Sequence, residues 1–247
     1  MPRACRTGQA GFGLFGFAFV NNSGSDFCER GFAHSYSGNG PFSEGPMAGQ
    51  LGVMDPDTLV LEHLADIDYD GGELAGTGEG RLFAFAGAEP AKILEYDKDT
   101  GAVLELLELT GVSKTNASAF AFHRGDAYLF TEAGAADCEP CLMQNCEAEL
   151  DACRADSTCS DHLDCAIETA EISDECGGLI PQALQDCMTG PCIEECFPAT
   201  LNIVSKVTKV DWDESEGNGK AITVVNPKGP TRVVGASNSI CAPFNPD

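Results

Sequence analysis

The chain has 247 residues, with 39 acidic side chains against 14 basic ones and a formal charge of −25. That charge repels nucleic acid and anionic membrane surfaces, whose binding needs a basic footprint, and it favours solubility and cationic partners. No apolar run reaches the roughly eighteen residues of a membrane-spanning helix, and 13 cysteines point either to metal sites or to disulfides formed after export.

At the N-terminus, Arg3 and Arg6 precede the apolar stretch AGFGLFGFAFV, which has the outline of a signal peptide. Its three glycines and the lack of a small-x-small cleavage site favour a β-strand instead. The phrase Phe-Ala-Phe supports the strand: it occurs at Phe17-Ala18-Phe19, Phe83-Ala84-Phe85 and Phe120-Ala121-Phe122. Aromatics at period two around a small residue suit a strand with a buried face.

A second phrase reads as a hairpin. LGVMDPDTLVLEHL at 51–64 aligns with KILEYDKDTGAVLELL at 92–107 when Gly101 is treated as an insertion. Asp55-Pro56-Asp57-Thr58 then falls on Asp97-Lys98-Asp99-Thr100, with apolar arms on either side. A looser third copy runs from Val207 to Val225. Between the first two copies, DIDYDGGEL carries Asp66, Asp68 and Asp70 ahead of two glycines, the opening of a calcium loop. Leu74 and Thr77 then stand where further ligands belong, so an ordinary solvated turn competes with the calcium reading. GTGEG at 76–80 lacks the lysine and the strand-loop-helix setting of a phosphate loop and reads as a turn into the strand at Arg81. AFHRGDAYLFTEAG reads as another hairpin, turning at Gly125-Asp126.

Composition then changes abruptly. Residues 138–196 hold ten cysteines, few β-branched residues and much Ala, Leu, Glu and Asp. Leu142, Cys146, Leu150 and Cys153 share one helical face, and a second helix begins after Asp156, Ser157 or Thr158. The short link makes the two helices antiparallel, so the spacing nests Cys153 with Cys159 and Cys146 with Cys165. A third helix follows between Pro181 and Gly190. Disulfide staples are weighed here against two rivals: zinc held by Cys138, Cys141, Cys192 and Cys196, and a C-x-x-C redox pair of Cys138 and Cys141. Ten cysteines with irregular gaps overshoot one zinc site, and the βαβ setting of a redox motif is absent, which favours staples. From Asp137 to Glu195 there are fifteen acidic residues against Arg154 alone, so −14 of the −25 resides here. Outside the insert, a Cys28–Cys241 bridge would pin the two ends of the β domain together, leaving Cys5 as the odd cysteine.

Units of about 40–45 residues with several short strands are the signature of propeller blades, because one small sheet cannot bury its own face. The expected fold is therefore mainly β: a propeller-like domain, incomplete or irregular, from 1–137 and 197–247, of about four blades, with a disulfide-stapled helical insert over 138–196. His34, His63, His123 and His162 are scattered, and no nucleophile elbow, zinc-protease or P-loop motif is present.

The stretches ELAGTGEGRLFAF, KILEYDKDTGAV, SAFAFHRGDAYLFT and the ending VVGASNSICAP resemble a family of uncharacterised exported proteins of myxobacteria and related bacteria. The resemblance runs from about residue 73 to the end and implies a propeller-like β domain with a Cys-rich helical segment, but no activity. The expected function is a binding or cell-surface interaction module, secreted, periplasmic or displayed on the cell. Its partner would be an extracellular protein or glycan, with a cationic one favoured and nucleic acid excluded. The rival class is an enzyme, either a hydrolase using calcium at Asp66, Asp68 and Asp70 or an oxidoreductase through Cys138 and Cys141.

Overall fold

The structure is a computed structural model of the chain. It describes residues 9–37, 43–56, 58–87, 90–112, 118–133, 137–173, 176, 178–197, 204–217 and 219–236. Two compact units are formed: Met1–Thr131 with Val207–Val225 and Val233–Asp247, and Glu132–Lys206 with Asn226–Arg232. The segment expected as an insert, 138–196, lies in the second unit, which extends beyond it on both sides. Backbone bonds from Ala133 to Val204 (2.8 Å), from Ser205 to Thr231 (3.1 Å) and from Gly229 to Ser205 (2.8 Å) explain the extension. Ion pairs of Lys228 with Asp137 and of Arg232 with Glu132 reinforce it.

The first unit is mainly β. Three antiparallel sheets of four strands are present among the described residues, each a meander in chain order. Sheet 1 contains β1 (Leu14–Ser23), β2 (Asp26–Tyr36), β3 (Ser43–Asp55) and β4 (Val60–Asp70). Sheet 2 contains β5 (Glu73–Gly76), β6 (Leu82–Ala86), β7 (Lys92–Tyr96) and β8 (Val103–Glu108). Sheet 3 contains β9 (Ser118–His123), β10 (Asp126–Glu132), β11 (Ser205–Asp211) and β12 (Ile222–Asn226).

The hairpin repeat falls on equivalent elements: β3–β4, β7–β8 and β11–β12 are the last two strands of each sheet. Its alignment needs correction at one residue. Gly101 is no insertion, because it occupies the left-handed position of its turn (φ 73°) just as Leu59 does (φ 56°). Both turns close on the carbonyl of their leading aspartate, Leu59 N to Asp55 O at 2.8 Å and Gly101 N to Asp97 O at 2.7 Å. The aspartate side chains accept from the turn as well, Thr58 N to Asp55 Oδ1 at 3.2 Å and Thr100 N to Asp97 Oδ1 at 2.8 Å. Asp211 plays the same part before a longer loop, accepting from Ser215 N at 3.1 Å and Glu216 N at 3.0 Å.

Phe-Ala-Phe behaves differently. Its copies lie on β1, β6 and β9, the first strand of two sheets but the second of another. The rings are buried on β6 and β9, but on β1 Phe17 is half-buried and Phe19 exposed, so the phrase marks a strand and neither its register nor its burial. The β9–β10 turn is made by Arg124 (φ 53°) and Gly125 (φ 85°), one residue earlier than expected. Two successive left-handed residues match the twist of a tight hairpin.

Sheet 2 lies between the other two. All five residues of β6 are buried. Leu82 and Ala84, with Leu94 and Tyr96, pack on Val20, Phe32, Leu51 and Ile67 of sheet 1. Phe83 and Phe85, with Ile93, pack on Phe120, Phe122, Leu129 and Val210 of sheet 3 and on Trp212, just past the end of β11. Phe83 stacks 4.2 Å from Phe122 and meets Trp212 edge-on at 5.3 Å. Each fully buried aromatic contributes roughly 1.5–3 kcal/mol through lost apolar exposure. The first strands run side by side, β1 against β5 and β5 against β9. Glycine permits the closest approach: a Cβ on Gly76 would lie 2.1 Å from the Phe19 carbonyl oxygen.

Candidate functional site

The cysteine-rich unit carries five disulfides: Cys138–Cys196, Cys141–Cys192, Cys146–Cys187, Cys153–Cys159 and Cys165–Cys176. Its helices are α1 (Cys138–Asn145), α2 (Glu147–Arg154), α3 (Ser157–Thr169), α4 (Gln182–Thr189) and α5 (Ile193–Cys196). Asp156 caps α3 by accepting from Cys159 N at 2.9 Å, and Ala170 ends it in a left-handed conformation. Leu142, Leu150, Leu163, Leu184 and Met188 form the core among the sulfurs.

Cys153 and Cys159 join across the α2–α3 turn. The nested Cys146–Cys165 bridge does not form, because the expected first helix is broken at Cys146 (φ −147°). The break turns Cys146 toward α4 and Cys187, while Cys165 reaches forward to Cys176. Cys138 and Cys141 are not partners in a C-x-x-C dithiol either. One turn of α1 aims both sulfurs at the 192–196 segment, and each takes its own partner there. The same bridges occupy all four sulfurs considered for zinc. His162 lies by the Cys176 carbonyl, with Nδ1 at 3.2 Å. Cys28 is exposed and has no bridge among the described residues; Cys5 and Cys241, and with them the expected Cys28–Cys241 bridge, lie outside the described residues.

Arg154, the lone base of the 137–195 stretch, is used internally. Its guanidinium donates to Glu139 at 2.9 Å, Ser160 at 2.8 Å and Asp164 at 2.7 Å, which ties α1, α2 and α3 together. Of the thirteen described carboxylates between 137 and 195, eleven are exposed. Sequence reasoning found the charge; the inward use of the single arginine has no signature in the spacing.

Asp66, Asp68 and Asp70 do not form a calcium loop. They lie in β4, where the intervening Ile67 and Tyr69 are buried and hold the chain extended. Each has its own partner: Asp66 pairs with His63 at 3.0 Å, Asp68 accepts from Met47 N at 3.0 Å, and buried Asp70 accepts from Ser35 Oγ at 2.6 Å and Ser37 N at 2.8 Å. Among the described residues no group of three or more His, Cys, Asp or Glu is arranged to hold a metal.

One buried polar cluster was not singled out from sequence. His34 is fully buried between sheets 1 and 2, 6.2 Å from the ring of Tyr96. Its Nδ1 lies 3.2 Å from the Ser35 carbonyl, and burial pushes its pKa down to about 4. Next to it, Ser35 Oγ donates to Asp70 and accepts from Gln50 N at 2.8 Å. Ser, His and Asp are thus neighbours without being wired as a triad: the hydroxyl proton goes to Asp70, and the imidazole does not face the hydroxyl. On β5, burial raises the Glu73 carboxyl to about 7. A recess of about 440 Å³ at the β3–β4 hairpin is lined by Val53, Met54, Pro56 and Val60 with Arg30 and Glu62. Arg30 is engaged there by Asp99 at 2.8 Å.

No protein-family model matches the chain, and no curated protein matches it. Among the described residues no helix is long and apolar enough to cross a membrane, and the many disulfides fit an extracellular protein.

Proposed function

We propose that the protein is an exported binding module of the cell surface or its surroundings, whose helical unit docks a cationic extracellular protein or glycan. The observation that carries this reading is the surface of that unit. Five bridges fix a small helical frame, its lone central arginine is turned inward, and eleven carboxylates face solvent. Rigid display of one sign of charge attracts the opposite sign at little ordering cost. Three stacked meanders with neighbouring first strands support a propeller-like scaffold, the architecture also implied by the resemblance to exported myxobacterial proteins.

The test is binding of the whole oxidised protein to a lysine-rich peptide by calorimetry, at about 50 and 500 mM salt. Affinity should fall at least about tenfold with salt, and fall similarly when Glu147, Glu149, Asp151 and Asp161 are changed to amides. No binding, or binding indifferent to salt and to the four amides, would sink the reading.

A further inference from the structure

Sheet 2 is covered on both faces, whereas sheets 1 and 3 each turn one face away from it. On sheet 1 that face carries an aromatic row along β1: Phe15, Phe17 and Phe19 meet edge-on at 6.1 and 5.1 Å. The row is open at its ends, with Phe15 37 %, Phe19 46 % and neighbouring Phe27 71 % exposed, while Phe17 is half-buried against the cluster of Phe12, Ala33, Met54 and Leu61. On sheet 3 the alternation that buries Leu129 and Val210 puts Tyr128, Phe130 and Val207 on the far face, with Val225 beside them on β12. The sheet 1 row is apolar, and the sheet 3 face sets its apolar residues beside the Asp126–Lys209–Glu216 ion pairs, so each outer face carries part of the residue set that fills the internal interfaces.

We propose that two copies of this chain pair head to tail, with sheet 1 of each packing on sheet 3 of the other. The inference rests on the propeller-like reading above. Three sheets fall short of the four to eight that close a propeller, whereas two copies supply about six. Area supports the occupant: at about 200 Å² per ring, the open parts of Phe15, Phe19 and Phe27 come to about 300 Å². The sheet 3 face is less open, since Tyr128, Phe130 and Val207 are half-buried, and with Val225 it adds about 200 Å²; the two contacts then bury about 1,000 Å² in all, the lower bound for a specific interface.

Charge complementarity fixes the direction. Within the chain, the turns that follow the first strands of neighbouring sheets lie level: Asn21 at the end of β1 donates to the Gly78 carbonyl after β5 at 2.9 Å. The turn that follows β9 holds Arg124, which is exposed. At the same level on sheet 1, Glu29 pairs in register with Asn21. Neither the Glu29 carboxylate nor the Arg124 guanidinium has a hydrogen bond or ion pair among the described residues. Stacking sheet 3 on a second copy's sheet 1 brings the two together, twice per pair.

Native mass spectrometry and sedimentation equilibrium of the full oxidised chain test this. The expected mass is twice that of one chain. Arg124→Glu should weaken pairing about tenfold, and adding Glu29→Arg should restore it to within about threefold of the original. Phe19→Ser, at an exposed position, should also give monomers, with circular dichroism confirming that each variant is folded. A monomer at tens of micromolar overturns the proposal, as does a dimer indifferent to Arg124→Glu, which would mean that sheet 1 pairs with sheet 1. A monomer that still binds the lysine-rich peptide would remove the pairing and leave the binding function standing.

Discussion

Substituting Glu73 by glutamine is expected to uncover a pH dependence of stability that the unmodified protein largely hides. His34 titrates at about 4 when folded against 6.5 ordinarily, because burial disfavours its charged form. Its stabilising contribution is therefore complete above 6.5 and is lost as pH falls through 4. Glu73 runs the other way: burial raises its carboxyl from 4.5 to about 7, so its contribution is complete below 4.5 and is lost as pH rises through 7. With a slope of at most about 1.4 kcal/mol per pH unit, halved at pH 6.5 where the unfolded imidazole is half protonated, the His34 effect amounts to about 2 kcal/mol between pH 4.5 and 6.5. Glu73 keeps some contact with solvent, so its opposing share is discounted to about 1.5 kcal/mol. The two nearly cancel across that window. Urea titrations at half-unit steps from pH 4.5 to 6.5 are the assay. The unmodified protein should vary by less than about 1 kcal/mol from these two groups, whereas Glu73→Gln should gain about 2 kcal/mol as pH rises. His34→Gln should instead lose about 1.5 kcal/mol over the same range. Parallel curves for all three proteins would refute the reasoning, since other titrating groups contribute equally to each.

Two further outcomes follow from the turns. Leu59→Gly should stabilise the protein by about 0.5–1 kcal/mol in urea denaturation, because it relieves a left-handed leucine at the position that the equivalent turn fills with Gly101; a loss of stability would contradict the corrected alignment. Lys98→Met should cost about 2–3 kcal/mol, seen as a lower urea midpoint, because its ammonium donates to the carbonyls of Asn21 (2.8 Å), Asn22 (2.5 Å) and Gly80 (2.7 Å) and so ties three turns together; an unchanged midpoint would show that water replaces it at no cost.

Local chemistry was legible where it is local. Asp-x-x-Thr turns between apolar arms gave the hairpins of sheets 1 and 2, and Asp211 the looser one of sheet 3, since the aspartate caps its own turn whatever lies beyond. Asp156 as a helix cap was legible for the same reason. The Asp66-Asp68-Asp70 pattern misled because spacing records carboxylates and not the burial of Ile67 and Tyr69 between them. His34 and Glu73 gave no signal, since a lone ionisable residue acquires its burial only when sheets stack.

The sequence by itself determined the composition-driven facts: a strongly acidic, largely β chain with a separate cysteine-rich helical segment, because charge, alternation and cysteine density are properties of short windows. The tertiary structure alone decided which cysteines meet, that Arg154 points inward, and that sheet 2 is covered on both faces. Those outcomes depend on a broken helix at Cys146 and on contacts between residues far apart in the chain, and neither leaves a period or a motif to read.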